Sequence, residues 1–248
     1  MSLPGKEINR SFDAFGPVRI FDDGNKRYLG FGNSDEQSCW LKDQPFTPQH
    51  DYVRAMLLVL LFRTPKQAIT LGLGAGTLNS CLHNHLPDLE QTVVELRPAV
   101  IEAAYKYFQL PREKRLNVYN DDAQEWLTTP IEKKADILFS DIYSADGLDE
   151  QQLSDSFLTK CVNRLQADGW LVLNCWQEHR DSDLISRLRE HFCDIRSCTT
   201  QSGNWLILAG KQQDNQSTKQ LKKNARELNP QLGFSLSNLL NRLQHHNR

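Results

Sequence analysis

The stretch from Ala68 to Thr77, AITLGLGAGT, decides the fold. Its first residues predict a short apolar strand, which runs into Gly72, Gly74 and Gly76. Glycines at the end of a strand let the backbone turn sharply and approach a ligand closely, and the following helix points its first amides at that ligand. The stretch therefore predicts the ligand-binding turn of a Rossmann-like domain.

The spacing of these glycines narrows the choice of ligand. A dinucleotide-binding fingerprint places its third glycine one residue later, where this chain has Thr77. The loop therefore favours a nucleoside without a diphosphate, and we expect an S-adenosyl nucleoside. Glycine turns after strands are common, so the prediction depends on what the neighbouring strands carry at their ends.

Short buried strands alternate with helices around this loop. We expect strands at 68–73, 91–96, 116–119, 135–140 and 169–175, and helices at 77–85, 98–108, 121–127, 154–165 and 183–191. Such alternation predicts a parallel sheet with helices on both faces. The last two strands, 195–199 and 204–209, are joined by a turn too short for a helix, so the final strand should run antiparallel. The predicted fold is an α/β fold with a Rossmann-like, class I methyltransferase-type sheet.

The chain divides into three predicted segments. Residues 1–50 are rich in turn-forming and aromatic residues and predict a small N-terminal β-hairpin or meander. Residues 51–211 are the predicted Rossmann-like catalytic domain that binds the S-adenosyl ligand. Residues 212–248 are a polar, helical C-terminal tail, with leucines at helical spacing between Leu236 and Leu243. The tail is either a solvated linker with a packing helix or a subunit contact or lid.

The composition is that of an ordinary globular protein, with 39% hydrophobic residues, 24% charged residues and a net charge of −2. This charge predicts no broad nucleic-acid surface. The most apolar run, Ala55–Phe62, is too short to span a membrane and predicts a buried helix. The first residues lack the apolar core of a signal peptide, so we expect a cytoplasmic protein. The six cysteines are scattered and the histidines lack ligand spacing, so we expect reduced thiols and no metal.

Acidic residues follow the second and third predicted strands of the sheet. Glu95 stands at the carboxyl end of the second strand, where a carboxylate can accept both ribose hydroxyls, unless it is an ordinary surface residue. Asp122 and Ala123 follow the third strand, and we expect them to bind adenine through the carboxylate and the next backbone N–H. The alternative is that Asp121 or Asp122 caps the next helix, and both roles can coexist.

The fourth strand ends in Asp141, followed by Tyr143. Asp141 should face the reacting sulfonium, where a carboxylate can orient an amine and accept its proton. Tyr143 should wall the substrate pocket. The next segment, 144–155, is either an acidic lid for a cationic substrate or a solvated loop, and its carboxylates are Asp146, Asp149, Glu150 and Asp155.

Five stretches together resemble the spermidine synthase (polyamine aminopropyltransferase) family. They are ITLGLGAGTLNSCLHNHLP, VVELRPAVIEAAYKYFQLP, VYNDDAQEWL, ADILFSDIYSADG and FLTKCVNRLQADGWLVLNCW. The resemblance covers roughly residues 15–210. It implies a β-stranded N-terminal domain, a Rossmann-like core, and transfer of an aminopropyl group from decarboxylated S-adenosylmethionine to putrescine. It also implies a dimer or larger oligomer, and we expect a homodimer. It also implies that Glu95 binds ribose, Asp122 binds adenine and Asp141 is the catalytic acid–base residue.

The chain departs from the family at three places, and so resembles a divergent member. Ala75 stands where the glycine loop of the family carries an aspartate, and Ser144-Ala145 stand where it has Asp-Pro. The family's Tyr-Gln or Tyr-His pair is echoed by residues 50–52, HDY. Two other functions therefore stay open. One is a methyltransferase that uses intact S-adenosylmethionine on an unknown small acceptor, and the other is a non-catalytic nucleoside-binding homologue.

Overall fold

The N-terminal part of the chain folds into a four-stranded antiparallel sheet. The computed structural model of the protein describes residues 3–32, 35–130, 132–144, 147–148, 150–181 and 183–246. The strands of the N-terminal sheet pair in chain order. They are β1 (Lys6–Asp13), β2 (Gly16–Asp23), β3 (Lys26–Phe31) and β4 (Asp35–Leu41).

The rest of the chain alternates strands and helices around one eight-stranded sheet. In chain order its elements are α1 (Asp51–Met56), β5 (Gln67–Leu71), α2 (Thr77–His85), β6 (Glu90–Glu95), α3 (Pro98–Tyr107), β7 (Leu116–Asn120), α4 (Ala123–Trp126), β8 (Ala135–Ser140), β9 (Tyr143–Ser144), β10 (Gly147–Leu148), α5 (Asp155–Arg164), β11 (Leu165–Trp176), α6 (Leu184–Leu188), β12 (Asp194–Thr199), β13 (Asn204–Gly210), α7 (Thr218–Leu232), α8 (Ser237–Leu240) and β14 (Gln244–His245). Strands β9 and β10 form a separate two-stranded hairpin.

The strand order of the large sheet is β14-β12-β13-β11-β8-β5-β6-β7. Strands β5, β6, β7, β8 and β11 run parallel, and β13 runs antiparallel between β11 and β12. The predicted fold class is therefore confirmed, including the antiparallel final strand that the short turn required. Strands β6 and β7 are added on one side of β5, and β8 is added on its other side. Open α/β sheets bind ligands in the crevice where the strand order reverses in this way.

Apolar side chains cover both faces of this sheet. One face packs against α1, α2 and the C-terminal helices, and the other packs against α5 and α6. The polar stretch after residue 212 therefore differs from a solvated linker. Leu221, Ala225 and Leu232 lie on the buried side of α7, and Leu236 and Leu240 are buried after it. The charged residues of this stretch face solvent because one side of the helix packs on the core.

The N-terminal sheet packs against the same domain beside the glycine loop. Its buried side chains Val18, Leu29 and Trp40 join those of α3 in one apolar cluster. The side chain of Ala75, inside the glycine loop, is buried in this cluster and 1% exposed. The sheet therefore forms part of the wall around the loop. Within the described ranges, no helix is both long enough and apolar enough to cross a bilayer.

Candidate functional site

A cavity of about 770 Å³ opens at the carboxyl ends of the parallel strands. This volume lies in the range of small-molecule sites. Residues from the ends of β5, β6, β8 and β11 line it, together with residues of β4 and the start of α1. Of the residues chosen from sequence, those that line it are Gly72, Gly74, Glu95, Asp122, Ala123, Asp141 and Tyr143.

The glycine loop approaches its neighbours too closely for larger residues at this point. Gly72 has φ +89°, and a Cβ there would lie 2.1 Å from the carbonyl oxygen of Asp141. Gly76 caps the start of α2 and does not line the cavity, and its contact with the ligand stays a prediction. A Cβ on Gly76 would lie 2.6 Å from Leu110, so this glycine has a packing role as well. The sequence could not distinguish the two roles, because all three glycines share the same spacing.

Glu95 lies beneath the glycine loop rather than on the surface. Its Oε2 accepts a hydrogen bond from the backbone N–H of Leu73 at 2.8 Å, and its Oε1 accepts one from the backbone N–H of Arg97 at 2.9 Å. Burial raises the pKa of this carboxyl, and the two backbone donors oppose that rise. Each carboxylate oxygen can accept more than one hydrogen bond. Glu95 can therefore hold the loop and still accept from a ligand hydroxyl.

Asp122 caps α4, as the helix-capping alternative anticipated. Its Oδ1 accepts hydrogen bonds from the backbone N–H groups of Gln124 at 2.8 Å and Glu125 at 3.1 Å. Asp121 in turn accepts from the backbone N–H of Asp122 at 2.9 Å. The cap uses Oδ1. The adenine contact of Asp122 and Ala123 stays a prediction, and both residues line the cavity.

Asp141 follows β8 and is held by two neutral donors. The side-chain amide of Asn174 donates to its Oδ1 at 2.7 Å, and the hydroxyl of Tyr52 donates to the same carboxylate. Burial raises the pKa of Asp141 from 3.8 to about 6, against the effect of both donors. A carboxylate with this pKa is largely ionised near neutral pH and accepts a proton more readily than an exposed aspartate.

Tyr143 lies on the wall next to Asp141. Its hydroxyl donates to the backbone oxygen of Asn174 at 3.3 Å, and its ring meets Trp176 edge-on with centroids 6.1 Å apart. Burial raises the pKa of this phenol well above its usual value, so it stays protonated. Tyr143 can therefore donate a hydrogen bond and shape the pocket, but it does not serve as a base.

Several polar residues of the cavity wall are not among those chosen from the sequence. Asn174 interrupts the apolar strand β11, and its Oδ1 accepts from the side chain of Asn204 at 3.0 Å, which fixes its amide. A polar residue inside that strand was the signal that could have identified it. Ser38, whose Oγ accepts from the backbone N–H of Ala75 at 3.1 Å, had no such signal. Its position depends on a contact between two distant parts of the chain.

A second acidic group, Glu36, lies on β4 near the start of α1. Its Oε1 is 3.6 Å from Nε2 of His50, and the His50 ring stacks on the Tyr52 ring with centroids 5.4 Å apart. Burial raises the pKa of Glu36 and lowers the pKa of His50. Glu36, His50 and Tyr52 all line the cavity.

The acidic segment after β8 is described in part. Asp146 and Asp149 lie outside the described residues, as does the side chain of Glu150, so the lid interpretation concerns residues on which the structure is silent. Asp155 begins α5, is exposed, and lies 3.5 Å from Arg187. It does not line the cavity. Across the part of the chain that is described, no group of three or more His, Cys, Asp or Glu side chains could hold a metal ion.

The fold and the cavity together define a Rossmann-like protein of the class I methyltransferase type. A polyamine aminopropyltransferase of Neisseria meningitidis serogroup A is 28% identical over 96% of this chain and 92% of its own length. A polyamine aminopropyltransferase of Chromobacterium violaceum is also 28% identical, over 98% of this chain and 95% of its own. An eEF1A lysine and N-terminal methyltransferase homolog of Drosophila melanogaster is 29% identical over 64% of this chain and 25% of its own. No family model matches the chain.

Solved structures show the same fold. A probable spermidine synthase from Corynebacterium glutamicum superposes with a TM-score of 0.76 at 17% identity, over 99% of this chain and 91% of that one. A spermidine synthase in complex with the transition state analogue AdoDATO gives 0.64 at 18% identity, over 92% and 88%. Human methyltransferase-like protein 13 in complex with SAH gives 0.67 at 22% identity, over 74% and 93%.

The resemblance to the spermidine synthase family is therefore confirmed over nearly the whole chain. The chain is a divergent relative of the polyamine aminopropyltransferases. The predicted class of enzyme, a transferase, is confirmed as well, since these relatives are named as aminopropyltransferases or methyltransferases.

Proposed function

We propose that the protein transfers an aminopropyl group from decarboxylated S-adenosylmethionine to a small amine such as putrescine. The observation that carries this proposal is the charge of the cavity wall. Among the described residues, four carboxylates line it, those of Glu36, Glu95, Asp122 and Asp141. Among the lining residues that the structure describes, Arg97 carries the one fixed positive charge, and its guanidinium is paired with Asp13.

This charge distribution distinguishes the two forms of the donor. Intact S-adenosylmethionine carries a carboxylate, whereas the decarboxylated form carries a sulfonium, an ammonium and no carboxylate. An acidic wall in a partly water-excluded cavity attracts the doubly cationic form and repels a carboxylate. The acceptor amine is cationic in solution too, so the same wall favours its entry.

The nucleoside end of the cavity is assigned to the first strands of the sheet. Gly72 and Gly74 bring the backbone close to the ligand, and Glu95 accepts from the ribose hydroxyls. Asp122 accepts from the adenine amine, and the N–H of Ala123 meets a ring nitrogen. Glu95 and Asp122 lie at the carboxyl ends of the neighbouring parallel strands β6 and β7, which brings these groups to one edge of the sheet. This edge is on the same cavity as Asp141.

The reaction is a direct displacement in which Asp141 acts as the base. The amine nitrogen attacks the carbon next to the sulfonium, the new C–N bond forms as the C–S bond breaks, and methylthioadenosine leaves. Asp141 accepts the proton that the amine loses. Asn174 and Tyr52 hold the carboxylate in place through the bonds described above, and Tyr143 forms the adjacent wall. Positioning of the two substrates supplies much of the acceleration.

A methyltransferase that uses intact S-adenosylmethionine is the second candidate, and Ala75 favours it. The family aspartate at this position is replaced by a residue whose side chain is buried among apolar groups. A methyltransferase homolog is also among the relatives. A non-catalytic nucleoside-binding protein is a third candidate. The retained carboxylates and the raised pKa of Asp141 make it the weakest of the three.

Calorimetric titration with three ligands tests the proposal. We expect methylthioadenosine and decarboxylated S-adenosylmethionine to bind, and the intact form to bind at least about tenfold more weakly. Mass spectrometry should then detect an aminopropylated product from putrescine, and Asp141→Asn should abolish it. Tight binding of the intact donor alone would contradict the proposal and support a methyltransferase. Nucleoside binding without turnover of any amine would support the third candidate.

Two matched variants test the charge argument itself. Glu36→Gln removes a carboxylate from the cavity wall and should reduce the preference for the decarboxylated donor or raise KM for the amine. Glu113→Gln removes an exposed carboxylate that does not line the cavity, so the preference should not change. Equal effects of the two would show that overall charge, not the cavity, sets the preference. We also propose that the protein is cytoplasmic, and that it is a homodimer, as the resemblance implies. Light scattering would measure the mass of the oligomer.

A further inference from the structure

Two exposed phenylalanines stand in the first hairpin of the N-terminal sheet. Phe12 is 69% exposed at the end of β1, and Phe15 is 52% exposed in the turn between β1 and β2. Phe15 lines the cavity and Phe12 does not. A half-exposed aromatic ring at the rim of a nucleoside-sized cavity offers apolar area for a ligand to cover.

The turn that carries Phe15 is fastened to the Rossmann-like domain by a buried ion pair. Nη2 of Arg97 donates to Oδ1 of Asp13 at 2.9 Å and to the backbone oxygen of Gly16 at 2.8 Å, and Nε adds a contact to the carboxylate at 3.1 Å. The side chains of Arg97 and Asp13 are 8% and 6% exposed. The backbone N–H of Phe15 donates to Oδ1 of Asp13 at 2.9 Å, so the same carboxylate fixes the turn.

The same arginine also reaches the ribose end of the cavity. Its backbone N–H donates to Oε1 of Glu95, and its guanidinium lies over the ring of Phe31, 4.4 Å from the centroid. One residue thus holds both the turn with Phe15 and the carboxylate assigned to ribose. A buried ion pair is costly unless hydrogen bonds satisfy it, and here several bonds do so, which makes the connection rigid.

We propose that Phe15 contacts the nucleoside of the S-adenosyl substrate and covers it from the N-terminal side. Asp13 and Arg97 are positioning residues that hold Phe15 at this place. This inference rests on the proposed function, because it requires an S-adenosyl nucleoside in the cavity. It makes the N-terminal sheet part of the donor site, whereas the assigned donor contacts all lie in the Rossmann-like domain.

Calorimetric titration with methylthioadenosine tests the contact without any measurement of turnover. Phe15→Ala should raise the dissociation constant about tenfold, because it removes the apolar area that the ligand covers. Phe15→Leu should stay within about threefold of the wild type, because it keeps most of that area. Phe12→Ala is the matched control, an exposed phenylalanine of the same hairpin outside the cavity, and should bind normally. The melting temperature should be unchanged in all three.

A double-mutant cycle tests the positioning role. Asp13→Asn should weaken methylthioadenosine binding in the wild-type background. It should have little further effect in the Phe15→Ala background, because the ion pair between Asp13 and Arg97 acts through Phe15. Additive losses would show that Asp13 does not act through Phe15 and would overturn that part of the inference.

The outcomes separate this inference from the proposed function. Wild-type protein that binds neither methylthioadenosine nor S-adenosylhomocysteine would refute both. If the wild type and Phe15→Ala bind methylthioadenosine with equal affinity, the inference is overturned and the proposed function still stands. Equal losses for Phe12→Ala and Phe15→Ala would also overturn it, since the effect would then come from the hairpin as a whole.

Discussion

Asp141→Asn should make the protein more stable at neutral pH while it abolishes turnover. The folded state raises the pKa of Asp141 from 3.8 to about 6, mainly because the carboxyl is buried. Ionisation is therefore less favourable in the folded than in the unfolded chain. The stability that this group contributes is complete below pH 3.8 and is lost as the pH rises through about 6. An asparagine has no charge to desolvate and escapes that loss.

The size of the pKa shift of Asp141 sets the expected change in the free energy of unfolding. A difference of about two pKa units costs the wild type about 3 kcal/mol at pH 7.5 and about 1 kcal/mol at pH 4.5. The variant recovers part of this, because Asn174 and Tyr52 both donate to the carboxylate and an amide has one acceptor oxygen for them. We therefore expect a gain of about 1–2 kcal/mol at pH 7.5, which falls by about 2 kcal/mol and is lost at pH 4.5.

Urea denaturation at the two pH values measures the gain, with Asp136→Asn, near the start of β8, as the matched control. Burial alone would raise the pKa of Asp136, but hydrogen bonds from Arg63 and from the backbone N–H groups of Gln67 and Lys66 lower it overall. Its stability contribution is present above its unfolded pKa and is lost as the pH falls. Asp136→Asn should therefore destabilise by about 2 kcal/mol at pH 7.5. A loss of stability at pH 7.5 in both variants would refute the assignment of Asp141 as a desolvated base.

Three further changes follow from the same contacts. Tyr52→Phe removes a donor that lowers the pKa of Asp141, so the acid limb of the pH profile of kcat/KM should move to higher pH; an unmoved limb would contradict that contact. Ser38→Ala leaves a buried glycine-loop amide without its acceptor and should lower the free energy of unfolding by about 1–2 kcal/mol, read from urea midpoints; no change would show that water replaces the hydroxyl. Gly76→Ala should lower the melting temperature more than Gly24→Ala. Both glycines have positive φ, but a Cβ at Gly76 meets a buried side chain at 2.6 Å, whereas one at Gly24 meets nothing within 4 Å. Equal losses would mean that the packing around Gly76 relaxes.

The fold could be predicted from sequence because its signals are local. The strand AITL followed by glycines, the alternation of apolar strands and helices, and the short turn before β13 each depend on neighbouring residues. The carboxylates Glu95, Asp122 and Asp141 could be chosen for the same reason. They end parallel strands, and the carboxyl ends of parallel strands share one edge of the sheet.

The rest of the cavity wall depends on contacts between distant segments. Ser38 touches the glycine loop across 37 positions of sequence, and Tyr52 reaches the loop after β8. Nothing in the local pattern around either residue specifies that contact. The local pattern around Gly76 likewise does not show that this glycine packs against Leu110. The helical spacing in the C-terminal tail was informative, but the degree of burial of α7 depends on the surface it meets.

The burial of Ala75 restricts how this protein could return to the family pattern. Its side chain packs at the seam between the N-terminal sheet and α3, among groups such as Val18, Phe31 and Val100. An aspartate introduced by Ala75→Asp would place a carboxylate in that apolar seam, where an unpaired charge is strongly disfavoured. Reversion would therefore require the surrounding side chains to change first. Ala75 is therefore part of the apolar packing between the N-terminal sheet and α3, and this packing disfavours an acidic residue at the same position.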